Sequence, residues 1–78
     1  MENKTARRTL YKVLRKTGVS RNDIELEASF QEDLKFDQLD WTLFLFYLEE
    51  SINASIEDDQ ASELYQVKDS LKLLEKIA

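Results

Sequence analysis

The chain has no cysteine, no histidine, no proline and a single glycine in 78 residues. Each absence excludes something. Without cysteine and histidine there is no Cys-His dyad, no Ser-His-Asp triad, no zinc-ribbon site and no histidine pH switch. One glycine excludes a Walker loop, a GxGxxG turn and an EF-hand loop. No apolar run exceeds the six residues from Leu43 to Leu48, against the roughly 20 that a spanning helix requires. The N-terminal stretch carries basic residues with no apolar run behind them, so it is not a secretory signal. These features predict a soluble, cytoplasmic protein without membrane insertion. The length admits one domain, residues 1–78, whose stability margin is thin because a chain this short hides only about 60% of its unfolded surface. Eight aromatic residues identify it as a folding chain and not a disordered tail.

The charge is segregated. Residues 1–21 hold seven of the eleven basic residues and one acid, Glu2, whereas residues 22–63 hold most of the acids and only Lys35 as a cation. One reading has the basic first segment lying against the acidic remainder, each screening the other. The second makes the acidic middle a docking surface for basic protein partners. A nucleic-acid role for the basic segment is disfavoured, because the rest of the molecule repels phosphate.

With almost no helix breakers, helix is the default. Ala6, Leu10, Val13, Leu14 and Thr17 recur at three- and four-residue spacing and predict a first helix over 5–17, with Gly18 as its left-handed cap. Residues 19–36 read as a long connection. Its isolated apolar residues (Val19, Ile24, Leu26, Phe30, Leu34, Phe36) plug into the core, with one short turn at 29–34. Asp37 with Asp40 three residues on reads as a capping-box variant that opens a second helix, running to about Ser51. That helix is apolar on two faces: Trp41, Phe44, Leu45, Leu48 and Ile52 on one, Leu39, Leu43, Phe46 and Tyr47 on the other. Glu57-Asp58-Asp59-Gln60 begins a short third helix that ends near Leu64 or Tyr65. A last helix starts at 66–68 and carries the stripe Val67, Leu71, Leu74, Ile77. The fold class is all-α: a bundle of three main helices and one short one, with a long first loop.

The segment Ala28-Ser29-Phe30-Gln31-Glu32-Asp33-Leu34, followed by Asp37-Gln38-Leu39-Asp40, Leu48-Glu49-Glu50, Ile56-Glu57-Asp58-Asp59 and Gln66-Val67-Lys68-Asp69, resembles the acyl carrier protein family in order and spacing. The resemblance covers nearly the whole chain and implies the family's four-helix bundle. It also implies what is missing. The family attaches a 4′-phosphopantetheine arm to a serine at the start of the second helix, and the thiol of that arm carries the acyl group. Gln38 stands at that position here, flanked by the retained Asp37 and Leu39. The family's preceding glycine and small residue are replaced by Lys35 and Phe36. A carboxamide has no hydroxyl to esterify, so no cofactor is expected at Gln38.

The resemblance further implies that the second helix meets partner proteins, through Leu39, Asp40, Leu43, Phe46, Glu49 and Glu50. Leu43 stands where the family commonly has Glu, and Phe46 at a partner-facing position. If exposed together, Leu39, Leu43 and Phe46 form an apolar patch. The competing readings have the long loop cover them through Phe36, or have the larger aromatics fill the interior that receives an acyl chain in working carriers. The expected function is a non-enzymatic interaction protein in or near acyl-transfer metabolism, such as fatty-acid or polyketide biosynthesis. Its partners are acyl-transfer enzymes or a second copy docked through the second helix. The alternative is a working carrier that bears phosphopantetheine at an atypical residue. No catalytic residue and no metal ligand is expected. Asp37, Asp40, Glu49 and Glu50 lie on one segment, but acids near a helix N-terminus are more often caps than acid–base pairs.

Overall fold

The structure, a computed structural model, describes residues 2–77. Four α-helices follow one another: α1 over Asn3–Thr17, α2 over Gln38–Ile52, α3 over Asp58–Ala61 and α4 over Val67–Ile77. Among the described residues, none of the helices is long and apolar enough to cross a membrane.

The apolar stripe of α1 is the buried one: Ala6, Leu10, Val13 and Leu14 are inside. Gly18 ends the helix at φ 110°, a conformation that strains any residue with a Cβ. Its N–H donates to the Arg15 carbonyl (3.1 Å) and that of Val19 to the Leu14 carbonyl (3.0 Å), the paired bonds of a Schellman cap. From there the connection to α2 is tied down. It contains a turn of 3-10 helix at Arg21–Asp23, within the stretch whose composition predicts only a connection. Val19, Ala28 and Phe30 are buried, and Ile24, Leu26, Leu34 and Phe36 pack against the core as the studs they were expected to be. The turn at 29–34 forms around Ser29. Its Oγ accepts from the N–H groups of Glu32 (3.0 Å) and Asp33 (3.2 Å), and its own N–H donates to Asp33 Oδ2 (2.8 Å). The loop also pairs with the chain before α4. The N–H of Phe30 donates to the Tyr65 carbonyl (2.9 Å), and that of Val67 to the Ala28 carbonyl (2.9 Å). An 18-residue connection can therefore hold one shape, because its backbone groups and apolar side chains both have partners.

The start of α2 is fixed by a reciprocal capping box: Asp37 Oδ1 accepts from the Asp40 N–H (2.8 Å), and Asp40 Oδ2 accepts from the Asp37 N–H (3.2 Å). The helix ends at Asn53, whose φ of 54° makes it the left-handed cap. The short helix differs from expectation. α3 stops at Ala61 and not at Leu64 or Tyr65, because the chain tightens there into three-residue turns, Glu63 N–H to the Gln60 carbonyl and Leu64 N–H to the Ala61 carbonyl. That tightening turns Leu64 into the core. In α4 the stripe Val67, Leu71, Leu74 is buried, with Leu73, while Ile77 is half-buried.

Candidate functional site

Aromatic packing positions the first turn of α2. Phe30 from the loop, 1% exposed, stands against Phe36 (ring centroids 5.5 Å), Trp41 (5.1 Å) and Phe44 (5.0 Å), and Trp41 stacks on Phe44 at 5.6 Å. Such pairs contribute about 0.5–1.5 kcal/mol each beyond the area they bury. Phe36 is thus committed to the core side of α2. It does not fold over Leu39, Leu43 and Phe46, which removes the loop as their cover.

Beside this cluster lies a groove of about 540 Å³, open to solvent. Phe30, Phe36, Trp41 and Leu64 give it an apolar floor, and Gln38 and Tyr65 stand at its wall. The stretch 61–65 forms one side of the groove, and no periodicity in the sequence marked it. Gln38 is the first residue of α2 and is exposed. Its carboxamide can donate and accept hydrogen bonds but offers no nucleophile. The neighbouring hydroxyls are already engaged with backbone. Thr42 Oγ1 donates to the Gln38 carbonyl (2.9 Å), Ser62 Oγ donates to the Asp59 carbonyl (2.9 Å), and Ser29 Oγ receives the two turn N–H groups. Gln38 itself offers no hydroxyl for a phosphodiester-linked arm.

Three residues before Gln38, Lys35 has φ 55°. A left-handed backbone at this position is what a glycine would supply without strain, and the family resemblance places a glycine there.

The six side chains expected to meet a partner fall into three situations. Leu39 and Phe46 are exposed, at 67% and 55%. Leu43, between them, is half-buried and lies outside the core cluster. These three recur at four- and three-residue spacing, so they share one face over roughly 10 Å. Glu50 is exposed one turn further on. Asp40 and Glu49 are half-buried and hold backbone: Asp40 closes the capping box, and Glu49 Oε2 accepts from the Ile56 N–H at 2.6 Å. Tyr47, grouped with this face in the sequence, instead packs against the core, with Lys16 Nζ 5.3 Å from its ring centre. Three of the four carboxylates once considered for acid–base work, Asp37, Asp40 and Glu49, thus have structural tasks. Among the described residues no cluster of carboxylates is arranged to hold a metal ion.

No family profile matches the chain. Curated relatives do. It is 39% identical over 59 residues to an acyl carrier protein of Nitratidesulfovibrio vulgaris, an alignment that covers 76% of this chain and 78% of the relative. It is 39% identical over 64 residues to an acyl carrier protein of Porphyromonas gingivalis, covering 82% of each. Among solved structures, a chain from Mycobacterium tuberculosis proposed to be an acyl carrier protein superposes with a TM-score of 0.71, at 20% identity, over 94% of this chain and 93% of that one. This last likeness concerns the fold alone.

Proposed function

The chain belongs to the acyl carrier protein family, and within that family we propose that it is a docking protein without a prosthetic arm at the usual position. The observation that carries this reading is Gln38. It occupies the exposed first position of α2, between a retained Asp37 cap and a retained Leu39, with nothing nucleophilic in its side chain. What survives is the scaffold that presents α2, and what is added on α2 is apolar.

The proposed contact surface is Leu39, Leu43, Phe46 and Glu50. Asp40 and Glu49 shape the ends of the helix and lend it negative charge. Moving apolar side chains such as Leu39 and Phe46 out of water contributes roughly 1.5–3 kcal/mol each when burial is complete. The partner is a protein with a basic, partly apolar face, in or near acyl-transfer metabolism in the cytoplasm, and the chain itself performs no catalysis. A nucleic-acid partner is not part of this reading.

Intact mass spectrometry tests it. After incubation with coenzyme A and a broad-specificity phosphopantetheinyl transferase, the mass stays that of the bare chain. A gain of one phosphopantetheine would overturn the proposal and make the protein a working carrier with attachment at another hydroxyl.

A further inference from the structure

The cationic face of α1 makes no ion pair among the described residues. Lys4, Arg8, Lys12 and Arg15 recur at intervals of four, four and three, which sets them on one stripe opposite the buried Ala6, Leu10, Val13 and Leu14. All four are exposed. Whatever screening the acidic remainder gives this helix, it forms no ion pair with it among the described residues. The one ion pair among the described residues is Lys68 with Glu27, at 3.3 Å, and neither belongs to α1.

The acidic surface is equally one-sided. From Asp37 to Gln66 there is no basic residue, and the face of α2 offers Leu39, Phe46 and Glu50 to solvent. Parts of both patterns run against local preference, although Arg15, in the last turn of α1, accords with it. Lys4 stands in the first turn of α1, at the positive end of the helix dipole, and Glu49 and Glu50 stand in the last turns of α2, at the negative end.

We propose that a second copy of this chain docks the stripe Lys4, Arg8, Lys12 and Arg15 of α1 onto the α2 face of Leu39, Phe46 and Glu50. Charge complementarity selects this occupant. A nucleic acid or an anionic membrane would meet a net charge of −5 and a broad acidic surface, whereas a second copy presents the acidic, apolar-studded face that the stripe lacks. Tyr11, 39% exposed beside the stripe, adds an aromatic contact, and the Arg side chains can lie over the Phe46 ring. The net charge opposes association at long range. At physiological salt its reach is only about 8 Å, so opposed patches dominate at contact. The stripe and the α2 face are different patches, each turned away from the core, so the contact between copies is head-to-tail. The inference does not rest on the missing arm. It does use the α2 face assigned above to a partner, so self-docking and partner docking exclude each other.

Sedimentation equilibrium of the full chain, from micromolar to millimolar, at about 0.02 M and about 0.5 M salt, tests the proposal. The average mass rises above the 9.2 kDa monomer with concentration at low salt and returns to monomer at high salt. A variant with Arg8→Gln and Arg15→Gln, and a second with Phe46→Ser and Glu50→Gln, each weaken association roughly tenfold or more. Both keep their far-UV circular dichroism, since all four positions are exposed. Mixed, they form a one-to-one pair, because each retains the face the other has lost. A monomer at every concentration overturns the proposal, whether or not the stripe then binds anionic vesicles or duplex DNA. So does an association that neither salt nor the variants weaken, or a mixture that fails to pair. A bare intact mass together with a monomer would overturn this inference and leave the proposed function standing.

Discussion

Replacing Phe30 with Ala removes the centre of the aromatic cluster. The side chain is 1% exposed and has three aromatic neighbours with ring centroids at 5.0–5.5 Å. Phe→Ala in a core costs about 3–5 kcal/mol, the sum of lost transfer energy and the cavity left behind. A chain of this length has a total stability of about 4–12 kcal/mol. The substitution therefore consumes a large share of the total, although Phe30 lies in a segment without a helix. Urea unfolding followed by Trp41 fluorescence measures it. Trp41 is the only tryptophan and stacks within the same cluster, so its native emission also shifts to the red in the variant. Phe46→Ala is the control: 55% exposed and outside the core, it changes stability by about 0.5 kcal/mol or less. A loss under about 1 kcal/mol for Phe30→Ala, or equal losses for the two variants, would refute the assignment of the long loop to the core.

Three smaller effects follow from backbone and polar groups. Asp37→Ala removes the acceptor for the Asp40 N–H and lowers the urea-derived stability by about 1 kcal/mol, so an unchanged midpoint would contradict the capping box. Ser70→Ala raises the melting temperature, because the Ser70 hydroxyl is fully buried with no hydrogen-bond partner among the described residues and such a group costs about 1–3 kcal/mol; a lower melting temperature would show that the hydroxyl has a partner. Lys35→Gly at φ 55° exchanges relief of left-handed strain, roughly 1 kcal/mol, for the added chain entropy of glycine, and is neutral to slightly stabilising; a loss above 1 kcal/mol by calorimetry would contradict that backbone shape.

Much of the architecture was legible because local signals agreed. The α1 stripe, Gly18 and the Asp37–Asp40 pair each specify one structure, and each is used as read. The isolated apolar residues of the long loop were legible as studs, but their backbone pairing with Tyr65 and Val67 was not, since it joins segments far apart in sequence. The early end of α3 was hidden for a similar reason: three-residue turns and continued α-helix share the same local preferences, and burial of Leu64 is what separates them.

At the site, α2 is apolar nearly all round, so periodicity offered two faces without ranking them. Packing against α1 and the loop buries Phe44 and Leu48 and leaves Leu39 and Phe46 outside. Nor could composition show that Glu49 would hold the Ile56 N–H while Glu50 stayed in solvent. The meaning of Gln38 came from resemblance alone, since nothing in its chemistry marks it apart from other exposed glutamines. Its place at the groove mouth, beside Phe36 and Trp41, belongs to the structure.

The central claim is that Gln38 separates this chain from arm-bearing carriers while the surrounding scaffold is kept. Intact mass of the parent chain and of its Gln38→Ser variant, each incubated with coenzyme A and a broad-specificity transferase, tests this most directly. The account predicts a bare parent and a variant that gains one phosphopantetheine, because the Asp37 cap, Leu39 and the left-handed turn at Lys35 are already in place. A parent chain that takes up the arm would contradict it.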